Sequence, residues 1–268
     1  QILDLTTSNR RMPAVTIANI VSDNLDGQTI SPSLVYSVKH DAGFKYLPPL
    51  HTFFTTEEQR QNRVAFCKYH IENQTNFDNV LFTDESSFEL TASHKWLWRR
   101  RGETSPDVQC ATKKFSKKVM IFGGISKNYC TPLIAINGSI NAESYVDECI
   151  DGSGLIPSMN ETYGHFKWVL MQDGASSHTA KSTIDYLSNY CKILENWPSS
   201  SPDLNPIENL WSILKNRVYE INPKTENELI ETIFDTWENL DVSLIYRLID
   251  SMPSRLQAVI DNNGFPTK

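Results

Sequence analysis

The chain has 268 residues, 40% of them apolar and 21% charged, which excludes a disordered tail and suits one large domain or a large domain with a small one. No run approaches the roughly 18 consecutive apolar residues needed to span a bilayer. A net charge of −7 argues at first sight against a nucleic-acid partner.

Residues 13–43 read as two short helices. The first carries Val15, Ile17, Ile20 and Val21, and Asp26-Gly27 turns the chain. Ser31-Pro32 opens the second as an N-cap followed by proline at the first helical position. Leu34, Val35, Val38 and Ala42 make its apolar stripe, and Gly43 can close it. The spacing is that of a helix-turn-helix, and any helical hairpin fits about as well. Pro48-Pro49 mark an extended linker over 46–56. A helix follows, with Thr56 and Gln59 at capping-box spacing and Val64, Cys67 and Ile71 on one face.

Strands come next: NVLFTDESSFEL (79–90), HKWLWRR (94–100), KKVMIFGGIS (117–126) and TPLIAING (131–138). Residues 141–150 look helical and WVLMQD (168–173) is a short apolar strand. HTAKSTIDYLSNY (178–190) reads as a helix, CKILENWP (191–198) as a strand and NPIENLWSILKNRVY (205–219) as a helix, with two more helices over 225–239 and 242–262. Consecutive strands followed by alternating elements predict an α/β fold, a mixed sheet with helices on both faces.

The charge is unevenly spread. Residues 1–130 hold 16 Lys and Arg against 13 Asp and Glu, whereas residues 131–268 hold 9 against 19. Arg99, Arg100 and Arg101 in one basic run, with Lys113, Lys114, Lys117 and Lys118 in another, are candidates for DNA phosphates. A solvated hairpin face explains them equally well, and the lysines also read as a weak nuclear-import signal. Trp96 and Trp98 share a strand face by period two, which favours core packing over base stacking. The five cysteines are odd in number, widely spaced and without a CxxC pair, so neither a disulfide framework nor a zinc site is expected and a reducing compartment fits. The sequons at Asn73, Asn137 and Asn160 then read as chance matches. The chain opens on Gln1 with a polar stretch unlike a signal peptide, and reads as a piece whose start lies upstream.

Two acids stand where buried strands deliver them. Asp84 follows Val80-Leu81-Phe82, and Asp173 follows Val169-Leu170-Met171. Strand ends are where side chains escape an α/β core, and if the two strands are neighbours the carboxylates converge. Convergent anions call for a cation, and carboxylate oxygens suit Mg²⁺ or Mn²⁺. A phosphodiester handled by two such ions calls for a third acid. Glu208 is the candidate, but it sits third in a helix whose N-cap is Asn205 and whose first position is Pro206. Spacing alone favours a capping box there over a metal ligand. His178, near a helix start, reads as a hydrogen-bonded histidine that could approach an acid or a substrate phosphate. Asp203 reads as a loop-ordering residue, and Trp197 and Trp211 as core.

FTDESSFEL, HKWLWRRRGE, KVMIFGGIS, QDGASSHTA and WPSSSPDLNPIENLWSILK occur in that order and together resemble the catalytic domain of the Tc/mariner superfamily of DNA transposases. The 34 residues between Asp173 and Glu208 resemble its Asp-Asp-Glu branch. The resemblance runs from about Thr56 to Val218, and 10–43 are similar to the second helix-turn-helix of the family's terminal-repeat-binding region. It implies an RNase H-like (retroviral-integrase-like) mixed five-stranded sheet flanked by helices, preceded by a small helix-turn-helix segment. The implied divisions are a partial DNA-binding segment over 1–45, the linker over 46–56 and a catalytic domain with C-terminal helices over 57–268. It implies Asp84, Asp173 and Glu208 as catalytic ligands of two Mg²⁺ or Mn²⁺ ions; His178 is kept, from its position alone, as a possible auxiliary, with a hydrogen-bonded helix-start histidine the favoured reading. It also implies work in the nucleus on double-stranded DNA, both transposon terminal inverted repeats and target DNA at TA, by a homodimer.

Two departures stand out. Many relatives have Asn where this chain has Gly174, which loosens the backbone beside an acid, and a proline in the stretch occupied by Ser176-Ser177. The family's first helix-turn-helix is expected upstream of Gln1. The leading reading is an active cut-and-paste transposase. The alternatives are a domesticated or inactive transposase-derived DNA-binding protein and a structure-selective RNase H-like nuclease.

Overall fold

The computed structural model describes residues 1–25, 28–45, 53–90 and 117–267. The predicted strand over 94–100 lies outside the described residues, with Trp96, Trp98, Arg99, Arg100, Arg101, Lys113 and Lys114. So do the Asp26-Gly27 turn and residues 46–52 of the expected linker. The chain divides into two compact units, Gln1–Thr52 and Phe53–Lys268.

The smaller unit contains α1 (Ile2–Ser8), α2 (Ala14–Asp23) and α3 (Pro32–Asp41). The last two are the predicted pair, and α1 was not expected. The Ser31 hydroxyl accepts from the Leu34 amide at 3.2 Å, so the N-cap forms as read from Ser-Pro. Gly43, at φ +80°, ends α3 in the left-handed region. The apolar stripes differ from expectation. α2 buries Ala14, Ile17, Ala18 and Val21 and exposes Val15; α3 buries Val35 and exposes Leu34. Three helices of 7 to 10 residues enclose a core too small to cover a full stripe of each.

The larger unit begins with α4 (Glu57–Glu72). Its capping box forms in both directions, Gln59 N–H to Thr56 Oγ1 at 3.2 Å and Thr56 N–H to Gln59 Oε1 at 2.8 Å. The buried face is Arg63, Phe66, Cys67 and His70, rotated from the predicted Val64, Cys67 and Ile71. Arg63 and His70 find polar partners inside, which hydropathy periodicity does not register.

The sheet comprises β1 (Val80–Glu89), β2 (Lys118–Ser126), β3 (Tyr129–Cys130), β4 (Ile134–Ile136), β5 (Val169–Met171) and β6 (Lys192–Ile193). Its order is β3-β2-β1-β5-β6, with β4 also paired to β2. β1 and β2 are antiparallel, as are β3 and β4 to β2, whereas β5 lies parallel to both β1 and β6. β3 and β4 follow one another along the free edge of β2, so the sheet is mixed and five strands wide.

Between strands run α5 (Ala142–Ser144), which continues into a π-helical segment over Tyr145–Asp151, and α6 (Leu155–Tyr163), which was not expected. The predicted helix over 178–190 is two, α7 (Ser176–Thr179) and α8 (Lys181–Leu187), parted where Ala180 adopts an extended ψ of 139°. α9 (Pro206–Ile221) and α10 (Glu226–Glu238) follow expectation. The predicted helix over 242–262 is divided into α11 (Val242–Asp250) and α12 (Met252–Asp261), because Pro253 cannot donate into a continuing ladder.

Side chains alternate across the sheet and give it two cores. Val80, Phe82 and Met171 pack with α4 and α9–α12. Leu81, Phe122 and Leu170 pack on the other face with Tyr145, Met159, Trp168 and Leu187. Every apolar residue of the α9 stripe, Ile207, Leu210, Trp211, Leu214 and Val218, is fully or almost fully buried. Each such burial is worth roughly 1.5–3 kcal/mol as an upper value. That packing holds α9 flat against β1.

Candidate active site

Asp84 does not stand at the end of its strand as expected; it lies inside β1, opposite Gly123 of β2. The parallel ladder, however, stops at Phe82↔Met171. Asp84 and Asp173 therefore each lie two residues beyond the last parallel pair, at one level, where β5 has ended and β1 continues.

Glu208 lies in the first turn of α9. Two hydrogen bonds register this helix on β1: Asn205 Nδ2 donates to the Thr83 carbonyl at 3.4 Å, and Trp211 Nε1 to Asp84 Oδ2 at 3.1 Å. Asn205 is the N-cap, its side chain accepting from the Ile207 amide at 3.3 Å. The capping box favoured by spacing is absent. The Asn205 amide already donates to the Pro202 carbonyl at 3.2 Å, which takes the donor that Glu208 would have needed. Among the described residues the Glu208 carboxylate has no hydrogen-bond partner, and it lies close enough to Asp84 to repel it.

The electrostatics record that crowding. Burial pushes the Asp84 carboxyl up to about 8, reinforced by the charges of Glu208, Glu85 and Asp173. Glu208 is raised as well, chiefly by burial, with Lys215 opposing. Asp173 moves the other way, held low by its hydrogen bond from His178.

His178 is the partner that the sequence left open. Its Nδ1 lies 2.7 Å from Asp173 Oδ1 and its Nε2 3.2 Å from Glu85 Oε1. Burial works against its charge, but the two carboxylates outweigh burial and hold it at about 9, so it is an imidazolium at neutral pH. Its ring lies on Tyr145, centroids 4.1 Å apart. The Tyr145 hydroxyl donates to Gln172 Oε1 at 3.0 Å, and Gln172 Nε2 donates to the His178 carbonyl at 3.0 Å. Asp173 Oδ1 also accepts from the Ala175 amide at 2.9 Å. Glu85, Tyr145 and Gln172 were not singled out from sequence. Glu85 is next to Asp84 but points to the opposite face by alternation, and its side chain is bonded to the site through His178.

Gly123 makes room for Trp211. A Cβ there would come 2.8 Å from Leu133 Cδ2 and 3.0 Å from Trp211 Cη2. Gly123→Ala is expected to destabilise the larger unit by about 1–3 kcal/mol through overpacking. Loosening of the Trp211–Asp84 bond should accompany it, read as a red shift of tryptophan emission and a lower Tm. An unchanged Tm and spectrum would show that the pocket yields.

The remaining predicted residues fall as follows. Lys117 pairs with Glu226 and Lys118 with Glu89, so both described lysines of the basic run already face carboxylates. Trp211 is core, as expected, and Trp197 is half-buried against Phe66 and Phe82. Asp203 orders its loop, through Arg63 and Thr267. At Gly174 a Cβ would meet nothing within 4 Å and φ is not positive, so a side chain fits there and Gly174 is not required by the backbone. Cys67, Cys130, Cys149 and Cys191 are free thiols, each pushed up to about 12 by burial.

Among the described residues no three His, Cys, Asp or Glu side chains stand as a ready-made ion cage. The donor chemistry nonetheless fits a hard divalent cation. Asp84, Asp173 and Glu208 offer carboxylate oxygen alone, and the Asp84 carboxyl is raised chiefly by burial and further by the charges of Glu208, Glu85 and Asp173, which a cation would offset.

An RNase H-like sheet with two acids just beyond the last pair of its central parallel ladder, and a third on a helix packed over them, is the arrangement of the DDE class of nucleic-acid-cleaving enzymes. Residues 79–230 match the family described as DDE superfamily endonuclease. The chain is 33% identical over 246 residues to the transposable element Tcb2 transposase of Caenorhabditis briggsae, covering 89% of each. It is 33% identical over 232 residues to the transposable element Tc1 transposase of Caenorhabditis elegans, covering 85% of this chain and 84% of that one. The pre-cleavage Mos1 transpososome superposes with a TM-score of 0.81 at 15% identity, over 100% of this chain and 79% of that one. The chain belongs to the Tc1/mariner transposases of the DDE endonuclease superfamily.

Proposed function

We propose that the chain catalyses cut-and-paste transposition, cleaving DNA at transposon ends and joining the freed 3′-hydroxyl to target DNA at TA. The observation that carries this reading is the level placement of Asp84 and Asp173 past the last parallel pair, with the uncapped Glu208 over the same strand. The three carboxylates would hold two divalent ions; that the metal is Mg²⁺ or Mn²⁺ is supported by Mos1 paired-end complexes with each. The chemistry such ions would supply is activation of the nucleophile and stabilisation of the leaving oxygen at phosphorus.

The protein's own residues do the rest. Asp84 feels the charges of both Glu208 and Asp173 and would be shared in holding the metal. His178, held by Glu85 and packed against the tilted Tyr145 ring, fixes the Asp173 carboxylate. Trp211 fixes the Asp84 carboxylate. The smaller unit binds the terminal inverted repeat through its two predicted helices, and the basic residues Arg99, Arg100, Arg101, Lys113, Lys114, Lys117 and Lys118 meet phosphate. The last two exchange a carboxylate partner for DNA. Two copies hold the paired ends, as the Mos1 paired-end complex with left transposon end supports, and the protein acts in the nucleus.

Incubated with a duplex taken from the inverted repeats that flank its coding region, the protein is expected to nick the ends in Mg²⁺ or Mn²⁺. Asp173→Asn and Glu208→Gln should each lower that rate by about 10²–10³-fold, the loss typical of removing one preorganised electrostatic group. Circular dichroism should not change. Nicking that persists in both variants would overturn the assignment. Repeat binding with no cleavage by the unaltered protein would favour the DNA-binding reading.

A further inference from the structure

The stretch that leads into α9 is tied down far from the acids in sequence. Arg63, 0% exposed, and Asp203, 5% exposed, form a bidentate pair with bonds of 2.8 and 2.6 Å. Arg63 also donates to Gly264 O at 2.9 Å, Ser201 Oγ at 2.7 Å and Ser200 O at 3.2 Å. Asp203 Oδ2 further accepts from the Thr267 amide at 2.8 Å and hydroxyl at 2.9 Å, and Arg255 donates to the Asp203 carbonyl at 2.8 Å. One buried cluster thus joins α4, the loop before α9, α12 and the segment after it.

Two features say that the loop's position, rather than its mere burial, is being enforced. Ser200 sits at φ +53°, a conformation that costs a non-glycine residue and persists only where its surroundings over-determine it. Between Asp203 and Glu208 stand Leu204, Asn205, Pro206 and Ile207, all buried. That segment contains a proline and no glycine, so a shift at Asp203 is carried to Glu208 rather than absorbed.

We propose that the Arg63–Asp203–Thr267 cluster is a positioning latch for the third acid, setting where α9 begins and hence where the Glu208 carboxylate stands relative to Asp84. The inference rests on Glu208 as a metal-holding residue. Arg63, Asp203 and Thr267 act through the loop; they touch neither metal nor substrate.

The test is calorimetric titration with Mn²⁺ alone, on the full chain, beside thermal unfolding. Asp203→Asn should weaken Mn²⁺ binding by about 10-fold, at the lower end of what loss of an orienting partner costs a metal site. Thr267→Val removes one hydroxyl and keeps the side chain's shape. It should weaken Mn²⁺ by a smaller but measurable factor while Tm stays close to that of the unaltered protein, and it decides the matter if Asp203→Asn does not fold. A lowered Tm with unchanged Mn²⁺ affinity in the folded variants would make the cluster a stabilising element and overturn the latch. Glu208→Gln is the control. If it leaves Mn²⁺ binding by the unaltered chain untouched, the metal role of Glu208 fails and the latch falls with it, an outcome distinct from loss of the latch alone.

Discussion

Asp84→Asn is expected to abolish cleavage and, in the absence of divalent ions, to make the larger unit more stable. The first effect follows from position. Asp84 is the acid that feels both Glu208 and Asp173, so its loss disturbs the whole charge cluster, and the rate should fall by at least about 10³-fold, the upper end for a single electrostatic group. The second effect follows from linkage. Burial and neighbouring carboxylates hold the Asp84 carboxyl at about 8, against 3.8 for the free side chain. Between those values the folded state binds more protons than the unfolded state. Stability contributed by this group is therefore full below about pH 4 and is lost as pH rises towards 8. An amide does not titrate and removes that loss. Metal-free Tm of the variant should exceed that of the unaltered protein at pH 8, and the two should converge near pH 4. For a unit of this size each kcal/mol shifts Tm by roughly 2–4 °C. Saturating Mn²⁺ should reverse the order at pH 8, because only the unaltered protein gains binding free energy. A variant less stable than the unaltered protein in metal-free buffer at pH 8 would refute the crowding that motivates the cation.

The parts of this site that were legible in the sequence are those that repeat along a strand or helix. Apolar runs gave β1 and β5, and with them Asp84 and Asp173 as candidate acids, because a buried strand cannot hide its run; that the two strands are neighbours came from the structure. The stripe of α9 was likewise plain. What was not legible depends on partners distant in the chain. The role of Glu208 turned on whether the Asn205 amide was free, and that amide is taken by Pro202, a loop contact that no periodicity encodes. Glu85 enters through His178, 93 residues away, and Tyr145 through a π-helical turn without a sequence signature. The exchange of Val64 for Arg63 on the inner face of α4 has the same origin. An arginine is read as a surface residue until its carboxylate partner, 140 residues on, is known. The width of the sheet, too, came from the family resemblance; the residues themselves indicated only a mixed sheet.

That same arginine carries the largest expected effect on stability. Arg63→Ala leaves the Asp203 carboxylate buried without its guanidinium and should cost about 3–5 kcal/mol, seen as a Tm lower by on the order of 10 °C. The pH dependence has a definite sign. Burial alone would raise the Asp203 carboxyl, but Arg63 and Thr267 hold it below 3.8 in the unaltered protein. Its contribution is therefore present above about pH 4 and lost as pH falls through the depressed value. Without Arg63 the balance tips to burial, the carboxyl rises, and the variant's deficit should narrow on acidification; a deficit constant from pH 7 to pH 4 would contradict this. Replacing both partners, Arg63→Met with Asp203→Leu, removes both buried charges and should recover much of the loss. Recovery should stop short of complete, because Ser201, Gly264 and Thr267 lose polar partners, each worth about 1–3 kcal/mol when left buried and unpaired. The comparison separates two roles that a single substitution confounds. If the pair exists to hold the loop, the double variant regains Tm and not Mn²⁺ affinity; if it exists only to hold the fold, Tm is regained and Mn²⁺ affinity stays that of the unaltered protein throughout.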